Sequence, residues 1–343
     1  MKVLVNSQDK VYLTSGNKAL KAKEKCGLTI GDFIGNIDSN NTLKKPSGEL
    51  MPNFSGVEDF GDYALQYKFA GNTSLSSISF PDLLGVSGQY AFTSMCRENT
   101  NITSISCPEL LTISGQYVFN YAFYATTNLT SIAFPKLATL TGNYCFAYAF
   151  GNHSATLTSI SFPELTTING NGCFQSSFSA CSVLTSISFP KLTTVNGSSC
   201  FSSAFSSCAA LTSAEFPELT TISSTSSGSF TNTFQSCAYL TTVRFPKLST
   251  IEGNGTLSHF QSCFNSCQRL TDIYFNALTT SSFVGNTYQF YSMFSTSSMS
   301  TSGNVNIHFP SNLQSTLQGL QGYPNFGATA GRVTLLFDLT ATN

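Results

Sequence analysis

The sequence contains no tryptophan, only three histidines and few charged residues. Charged residues make up 10% of its 343 positions, compared with about 25% in an ordinary soluble protein. The formal net charge is −1, so the chain as a whole has no electrostatic attraction for nucleic acid or for an anionic membrane. No apolar run approaches the roughly 18 residues that a membrane-spanning helix requires. The sequence therefore predicts no nucleic-acid partner and no membrane insertion.

The sequence also lacks the common motifs of catalytic sites. It has no Gly-x-Ser-x-Gly, no phosphate-binding loop and no His-Glu-x-x-His. His259 and Cys263 are one helical turn apart, but no carboxylate near them is placed to orient such a pair. The spacing of Cys263 and Cys267 is a weak match to a zinc site. We therefore predict that the protein is not an enzyme and has no metal and no cofactor.

The first nine residues, Met1 to Asp9, show no signal peptide, because they contain neither an apolar core of sufficient length nor a small-residue cleavage site. Either a signal has been removed from this sequence or the protein reaches its destination without one. The basic stretch from Lys18 to Lys25 is either a solvated face or a docking segment for a larger assembly.

The dominant feature is a repeat of the tetrapeptide Phe-Pro-x-Leu, which returns at intervals of 27 to 30 residues. Self-similarity with a period in this range is typical of solenoids, in which each unit buries its apolar face against its neighbours. The copies start at Phe80, Cys107, Phe134, Phe162, Phe189, Phe216, Phe245 and Phe275, and Asn276 replaces the proline of the last copy.

The first half of a coil predicts a short strand. In the coil from Leu184 to Ala210, apolar and small polar residues alternate, which places Ile187 and Phe189 inside and the serines outside. Pro190 has no backbone N–H and ends the strand.

The second half of the same coil predicts a short helix. Phe201, Phe205 and Cys208 stand at positions i, i+4 and i+7, which is the spacing of one apolar helical face. The predicted fold is therefore a repeat solenoid whose α/β coils each contain a strand and a short helix. About eight to nine such coils are expected, with a cap at each end.

The order of residues within a coil is similar to that of a known family. This unit resembles the consensus of the BspA-like leucine-rich repeats. That consensus is approximately L-x-x-I-x-I-P-x-x-V-x-x-I-G-x-x-A-F-x-x-C, with about 23 residues per coil. The resemblance covers about residues 53 to 299, and the departure is four extra residues around Phe201. Known members are surface or secreted adhesins and interaction proteins of bacteria, and similar repeats occur in phage tail-associated proteins. The resemblance implies binding and supplies no catalytic residues. The matching positions are Leu184, Ile187, Phe189-Pro190, Val195, Gly197, Phe205 and Cys208.

Eleven cysteines are present, and many recur at equivalent positions of the coils, as Cys181, Cys208 and Cys237 do. Stacked coils bring equivalent residues within about 5 Å, a distance that allows disulfides. The odd number of cysteines, and their replacement by Thr126 and Ser229 in other coils, favour free, buried thiols. Both alternatives stay open at this point.

From Glu109 onward, the residue after each proline of the repeat alternates in charge from coil to coil. We expect each lysine to lie beside carboxylates of the adjacent coils. Exposed pairs contribute only about 0–1 kcal/mol each, so their expected role is to disfavour a slipped register. The series is Glu109, Lys136, Glu164, Lys191, Glu218 and Lys247.

The ends of the chain depart from the repeat. Residues 1–52 are predicted to form an N-terminal cap or attachment module, residues 53–299 the solenoid, and residues 300–343 a C-terminal cap. His308-Phe309-Pro310 repeats the motif once more, and the segment from Val333 to Leu339 is predicted to be a closing strand.

The outward positions of the strands define one candidate binding surface. In the first five coils they are almost all serine, and charge and an aromatic ring appear only in the last three coils. We name these residues the strand-face patch; they form either a binding site or a solvated rim near the cap. The patch consists of Glu215, Arg244, Asp272 and Tyr274.

Seven tyrosines define a second candidate surface, which we name the tyrosine flank. They stand two residues before or after an inward position, so on a helix they would point away from the core. The same column continues as Gly172 and Ser199, which a core position would not accommodate. The flank is either a contact surface or an inter-coil stack that stiffens the fold. Its members are Tyr63, Tyr67, Tyr90, Tyr117, Tyr121, Tyr144 and Tyr148.

Together these features favour a non-enzymatic binding or adhesion protein that presents a rigid repeat surface to a protein or cell-surface partner. The expected location is extracellular, either on a bacterial surface or in a phage virion as a tail or fibre component for host attachment. The alternative is a structural spacer or assembly element of a homo-oligomer.

Overall fold

The computed structural model is a parallel β-solenoid of about eight turns with almost no helix. It describes residues 2–5, 11–15, 18–19, 54, 57–73, 75–152, 156–224, 226–253, 258–283, 290, 292–294, 304–315 and 333–339. Each coil has three sides, and the apolar side chains of all three form one continuous core along the solenoid axis. The repeat solenoid predicted from the Phe-Pro-x-Leu period is confirmed.

The first side of each coil is a short strand. Its central residue is buried, as Ile105 is between the exposed Ser104 and Ser106, because successive strand residues point to opposite faces. The first five of these strands form one parallel sheet and the last five form a second, and within each sheet neighbouring strands pair from coil to coil. They are β4 (Ser77–Ser79), β6 (Ser104–Ser106), β8 (Ser131–Ala133), β10 (Ser159–Ser161), β12 (Ser186–Ser188), β14 (Ser213–Glu215), β16 (Thr242–Phe245), β18 (Asp272–Phe275), β19 (Val305–Pro310) and β20 (Val333–Leu339).

The second side is a still shorter strand, followed by a tight corner. Seven of these strands form one parallel sheet. At the corner, Gly142 packs against the carbonyl of Gly115 in the preceding coil so closely that a Cβ would overlap it, which explains the recurring glycine. The strands are β5 (Gly85–Val86), β7 (Thr112–Ile113), β9 (Thr139–Leu140), β11 (Thr167–Ile168), β13 (Thr194–Val195), β15 (Thr221–Ser224) and β17 (Thr250–Gly253).

The third side corrects the sequence prediction, since it is a run of turns where a short helix was expected. The N–H of Phe174 donates to the carbonyl of Cys200 in the next coil at 2.8 Å, whereas the N–H of Gln175 donates back to Gly172 at 3.0 Å. Along the whole third side, successive amides donate in turn to a carbonyl of the next coil and to the carbonyl three residues earlier in the same coil. The neighbouring coils therefore supply the acceptors that an α-helix would find within itself.

A left-handed backbone residue recurs every fourth position along the third side. In one coil these are Gly172, Ser176 and Ala180, with φ of 60°, 51° and 62°. Non-glycine residues rarely adopt positive φ, yet the stacked hydrogen bonds hold them there in every coil. Because this unit is four residues long, it places Phe174 and Phe178 on the same inner side. A helix would do the same, which is why the spacing misled the prediction.

Phenylalanines fill the core in columns that run along the axis. Phe162 and Phe189, equivalent residues of adjacent coils, stack with ring centroids 5.4 Å apart. Across the core, Phe162 meets Phe174 edge to face at 5.1 Å. Both arrangements are favourable for aromatic pairs, so each coil fixes the position of the next.

The cysteines of the described chain, ten in number, are free and buried. The Cys200 thiol donates to the carbonyls of Gly197 and Gly170 at 3.1 and 3.3 Å. Ser229, at the equivalent position of the next coil, donates its hydroxyl to Gly197 at 2.9 Å. Burial raises the pKa of the Cys237 thiol to about 12. Of the two alternatives, disulfides or free thiols, the structure therefore shows free thiols. The Cys200 thiol is a small buried hydrogen-bond donor.

The charged residues after the prolines form separate ion pairs. Nζ of Lys191 lies 2.7 Å from both carboxylate oxygens of Glu164 in the preceding coil. In the described part of the chain, each such lysine pairs with one glutamate, so the continuous ladder that the alternation predicts is not formed. The three pairs are Glu109–Lys136, Glu164–Lys191 and Glu218–Lys247.

At the C-terminal end, β19 and β20 extend the first-side sheet in parallel. The predicted closing strand from Val333 to Leu339 is present as β20, and Phe337 packs on the core. Two short 3-10 turns, Thr280–Phe283 and Ser311–Leu313, precede and follow β19.

At the N-terminal end, a small antiparallel sheet consists of β1 (Lys2–Val5), β2 (Val11–Ser15) and β3 (Lys18–Ala19). The rest of the predicted N-terminal module, including 20–25 of the basic stretch, lies outside the described residues. The division into three domains therefore remains a prediction.

Candidate functional site

The strand-face patch lies on consecutive strands of one parallel sheet. Glu215 on β14 pairs in register with Arg244 on β16, and Arg244 pairs with Tyr274 on β18. The next residue in the column is His308 on β19. Side chains of four successive coils therefore form one row along the sheet, and the row ends at the buried His308.

Three of these side chains are stacked plane on plane. The guanidinium carbon of Arg244 lies 4.0 Å from the centre of the Tyr274 ring. Tyr274 also stacks on the His308 imidazole, with the two ring centroids 4.2 Å apart and the ring planes 10° from parallel. A cation over a tyrosine face is attracted by the ring quadrupole. The side chains are thus held in place before any partner arrives.

His308 is held from both sides by carboxylates. Its Nε2 lies 3.0 Å from Oδ1 of Asp272, and its Nδ1 lies 2.9 Å from Oδ2 of Asp338 on β20. The imidazole satisfies both carboxylates only when each nitrogen carries a proton. Partial burial alone would raise the pKa of Asp272, but hydrogen bonds from His308, Thr271 and Asn306 outweigh it and leave that pKa below its usual value.

The sequence prediction of the patch missed His308 and Asp338. His308 was detectable, because His308-Phe309-Pro310 repeats the motif and one more step along the strand column reaches it. Asp338 was not, because the register between β19 and β20 shifts between His308 and Pro310. The strand-face patch therefore extends to the closing strand.

The tyrosine flank lies on the third side of the first four coils. Tyr63, Tyr90, Tyr117 and Tyr144 stack in sequence with centroids 5.2, 4.9 and 5.0 Å apart and planes within 8° of parallel. All four have φ between 56° and 58°. They point outward because of this left-handed backbone, so the predicted orientation is right while the helical reason given for it is wrong.

A second row adds rings beside the first. Tyr121 and Tyr148 stack at 4.6 Å, and Tyr67 is 58% exposed. The Arg97 guanidinium lies 5.8 and 5.7 Å from the ring centres of Tyr121 and Tyr124. The flank is therefore an inter-coil stack, as one of the two interpretations of the sequence expects. Its role as a contact surface stays a prediction.

Stacking changes the acidity of two phenols. Burial and the neighbouring Tyr144 and Tyr90 raise the pKa of Tyr117. Burial, Tyr148 and Tyr124 raise the pKa of Tyr121, although Arg97 opposes that rise. The phenols of Tyr117 and Tyr121 therefore stay protonated at neutral pH, and a protonated phenol both donates and accepts hydrogen bonds.

The buried His259 has a structural position. The N–H of Ser229 donates to its Nδ1 at 3.2 Å, and its Nε2 lies 2.7 Å from the carbonyl oxygen of Glu252. Burial lowers the pKa of His259 to about 4. A neutral imidazole with both nitrogens in use has no free nitrogen to act as a base.

The described residues show neither a metal site nor a membrane span. They contain no group of three or more histidine, cysteine, aspartate or glutamate side chains arranged to hold a metal ion. Nor does this part of the chain include a helix with the length and apolar character needed to cross a membrane.

Comparison with known proteins identifies the repeat. The sequence profile of the BspA type leucine rich repeat region matches in six copies, over residues 56–177, 96–226, 147–254 and 202–318. No curated protein has a significantly similar sequence.

Three solved structures illustrate the likeness. A leucine-rich repeat protein from Bacteroides ovatus shares 18% identity with a TM-score of 0.44, over 95% of this chain and 75% of that one. The Treponema pallidum leucine rich repeat protein shares 17% identity with a TM-score of 0.35, over 83% of this chain and 100% of that one. The pneumococcal vaccine antigen PcpA shares 12% identity with a TM-score of 0.35, over 100% and 99%.

Proposed function

The chain belongs to the BspA-type leucine-rich repeat family, and on that premise we propose that it is a non-enzymatic binding protein that attaches to a protein or cell-surface partner. The family suggests a role in protein interaction or adhesion. We place the protein outside the cell, on a bacterial surface or in a virion as a tail or fibre component.

The observation that carries this proposal is the stacked row on the strand face. Arg244, Tyr274 and His308 are fixed in one row, whereas the same column holds serine in the coils of Ser106, Ser161 and Ser188, whose strands pair in register. Arginine and tyrosine are enriched among the residues that dominate binding energy at interfaces. Holding their side chains in place lowers the entropy lost on binding.

A matched pair of variants tests the proposal. The double variant Arg244→Ser, Tyr274→Ser places serine at both positions. Since serine stands at the equivalent position of other coils, the fold should be retained. Ser104→Ala with Ser106→Ala alters the first side of an earlier coil, in the other five-stranded sheet and away from the patch. Fluorescently labelled full chain is then applied to bacterial and to epithelial cells and counted by flow cytometry.

We expect the patch variant to lose at least about tenfold in cell binding, which corresponds to 1.4 kcal/mol, while the serine variant binds as the wild type does. Equal binding by the patch variant and the wild type would reject the patch as the attachment site. Proteomics of purified virions, compared with surface biotinylation of bacteria, decides between the two locations.

The tyrosine flank favours a second function, that of an assembly element. Tyr63 and Tyr67 are 43% and 58% exposed, and tyrosine is enriched at protein interfaces. Replacement of Tyr117 and Tyr144 by serine should weaken partner binding or self-association. A large loss of thermal stability with unchanged association would instead show that the rings act only as a stack within the chain.

A further inference from the structure

The tyrosine flank is a bounded surface. Of the five large apolar or aromatic side chains that are exposed in the described chain, two are on the flank, Tyr63 and Tyr67, and two precede second-side strands of the same coils, Leu84 and Leu111. The stacked column ends where Gly172 replaces tyrosine. The neighbouring second side changes at the same coil, from Ala138 to Thr166. A contact on this flank therefore has a length of about four coils.

The chemistry of the flank restricts the partner. The ring faces of Tyr90 and Tyr117 are covered by the rings above and below them, so a sugar ring or an aromatic side chain has no face to stack on there. What remains are ring edges and hydroxyls. Arg97 is paired with Glu98 at 3.0 Å, so the flank offers no single sign of charge to an acidic or basic partner.

The spacing of the rings restricts the partner further. Successive rings are 4.9 to 5.2 Å apart, and a partner makes an equivalent contact with every ring only if its own surface repeats at the same distance. Stacked β-strands have this spacing, and a second copy of this chain has the same rings as well. A row of phenols is also self-complementary, because each hydroxyl both donates and accepts a hydrogen bond.

We propose that two copies of this chain pair through their tyrosine flanks about a two-fold axis, with the two solenoids antiparallel. Tyr63 then lies opposite Tyr144 of the partner subunit, and Tyr90 opposite Tyr117 of the partner subunit. This inference rests on the contact role proposed above for the flank. Since the two-fold axis joins the same surface of both chains, the contact is isologous and closes at two subunits.

Sedimentation equilibrium over a range of concentrations tests the association. The wild type should reach a dimer, and Tyr90→Ser with Tyr117→Ser, at the centre of the contact, should raise the dissociation constant by at least about 100-fold. The control is Tyr239→Ser, which removes a 49% exposed tyrosine outside the flank and should leave the dimer unchanged. A wild type that stays monomeric at every concentration would overturn the proposal.

Disulfide cross-linking tests the orientation. In a background with Cys26→Ser, the remaining ten cysteines are buried and give little reaction. A mixture of the Tyr63→Cys and Tyr144→Cys chains should form a cross-linked dimer under mild oxidation, while each variant alone should not. Cross-linking of Tyr63→Cys alone would show a parallel pair and overturn the antiparallel geometry.

The failure of this inference can be told from the failure of the proposed contact role. A monomeric wild type whose cell binding falls in the Tyr90→Ser, Tyr117→Ser variant would reject the second copy and keep the flank as a contact surface for another partner. A monomeric wild type whose cell binding is unaffected by the same variant would reject both.

Discussion

The ring of Tyr144 lies directly against the backbone of Gly172 in the next coil. A Cβ on Gly172 would overlap the Cδ1 and Cε1 atoms of that ring, and Gly172 itself has a φ of 60°. The tyrosine column thus ends on a residue that leaves the last ring room to stay parallel to the others. Glycine is therefore required for two reasons: the Tyr144 ring leaves no room for a Cβ, and the positive φ disfavours other residues.

Gly172→Ala should destabilise the protein by about 1–3 kcal/mol, because it adds a clash with Tyr144 to a left-handed alanine. Urea unfolding measures the change. The control is Gly71→Ala, where φ is 65° and nothing lies within 4 Å of the new Cβ. That variant should lose only about 1 kcal/mol. Equal losses would show that the ring moves aside without cost.

The left-handed residues of the third side predict an unusual effect of glycine. Ala180 has a φ of 62°, which costs an L-residue roughly 1–2 kcal/mol, so Ala180→Gly should leave stability unchanged or raise it by up to about 1 kcal/mol. Ala138→Gly, on the second side, should lower stability by about 0.5–1 kcal/mol. Denaturant unfolding of the two variants gives the comparison. A loss in both would contradict the strain assigned to the third side.

The buried thiols predict tolerance of serine. Cys200→Ser should change the free energy of unfolding by less than about 1 kcal/mol, because Ser229 already makes the equivalent bond in the next coil. Cys200→Ala removes the donor and should cost about 1–3 kcal/mol. Thermal and urea unfolding measure both. If alanine were tolerated better than serine, the thiol would be acting through apolar packing alone.

Alkaline pH should destabilise the fold through the tyrosine flank. The folded state raises the pKa of Tyr117 and Tyr121 above the usual 10.0, so it binds their protons more tightly than the unfolded chain does. Their contribution is complete below pH 10 and declines as the pH rises through the folded pKa values. Tyrosinate absorbance should show delayed titration, and Tyr117→Phe with Tyr121→Phe should remove part of the alkaline loss of stability.

Acid should weaken the end of the solenoid through Asp272. Its folded pKa lies below the usual 3.8, so its contribution to stability is present above that pH and is lost as the pH falls through the folded value. Asp272→Asn should lower stability at neutral pH and reduce the further loss in acid. Glu215→Gln, an exposed carboxylate on the same sheet face, is the control. Identical acid profiles for wild type and Asp272→Asn would contradict the role given to this carboxylate.

Much of the architecture was predictable because the strands obey a simple alternation. Ser104, Ile105 and Ser106 are exposed, buried and exposed, as a two-residue period requires. The third side was not predictable in the same way, because Phe174 and Phe178 are four apart in a helical turn and in the observed turn unit alike. The difference lies in hydrogen bonds to other coils, which leave no trace in the local sequence.

The candidate surfaces also contain one part that could be predicted from the sequence and one part that could not. Arg244 and Tyr274 were assigned to one strand column from the repeat alone, and they lie there in register. The contact of Asp338 with His308 depends on an irregular register, which a repeat cannot predict. The positions of side chains that follow the repeat can therefore be predicted from the sequence, whereas those at the C-terminal end, where the register is irregular, cannot.

The four-residue unit of the third side also determines how coils can lengthen. Each unit repeats the same pair of hydrogen bonds and the same left-handed residue, so adding one unit to all coils widens the solenoid without disturbing the first two sides. A coil that is longer or shorter by one unit would therefore differ by four residues. The width of this solenoid can thus change only in steps of one unit, whereas its length changes by whole coils.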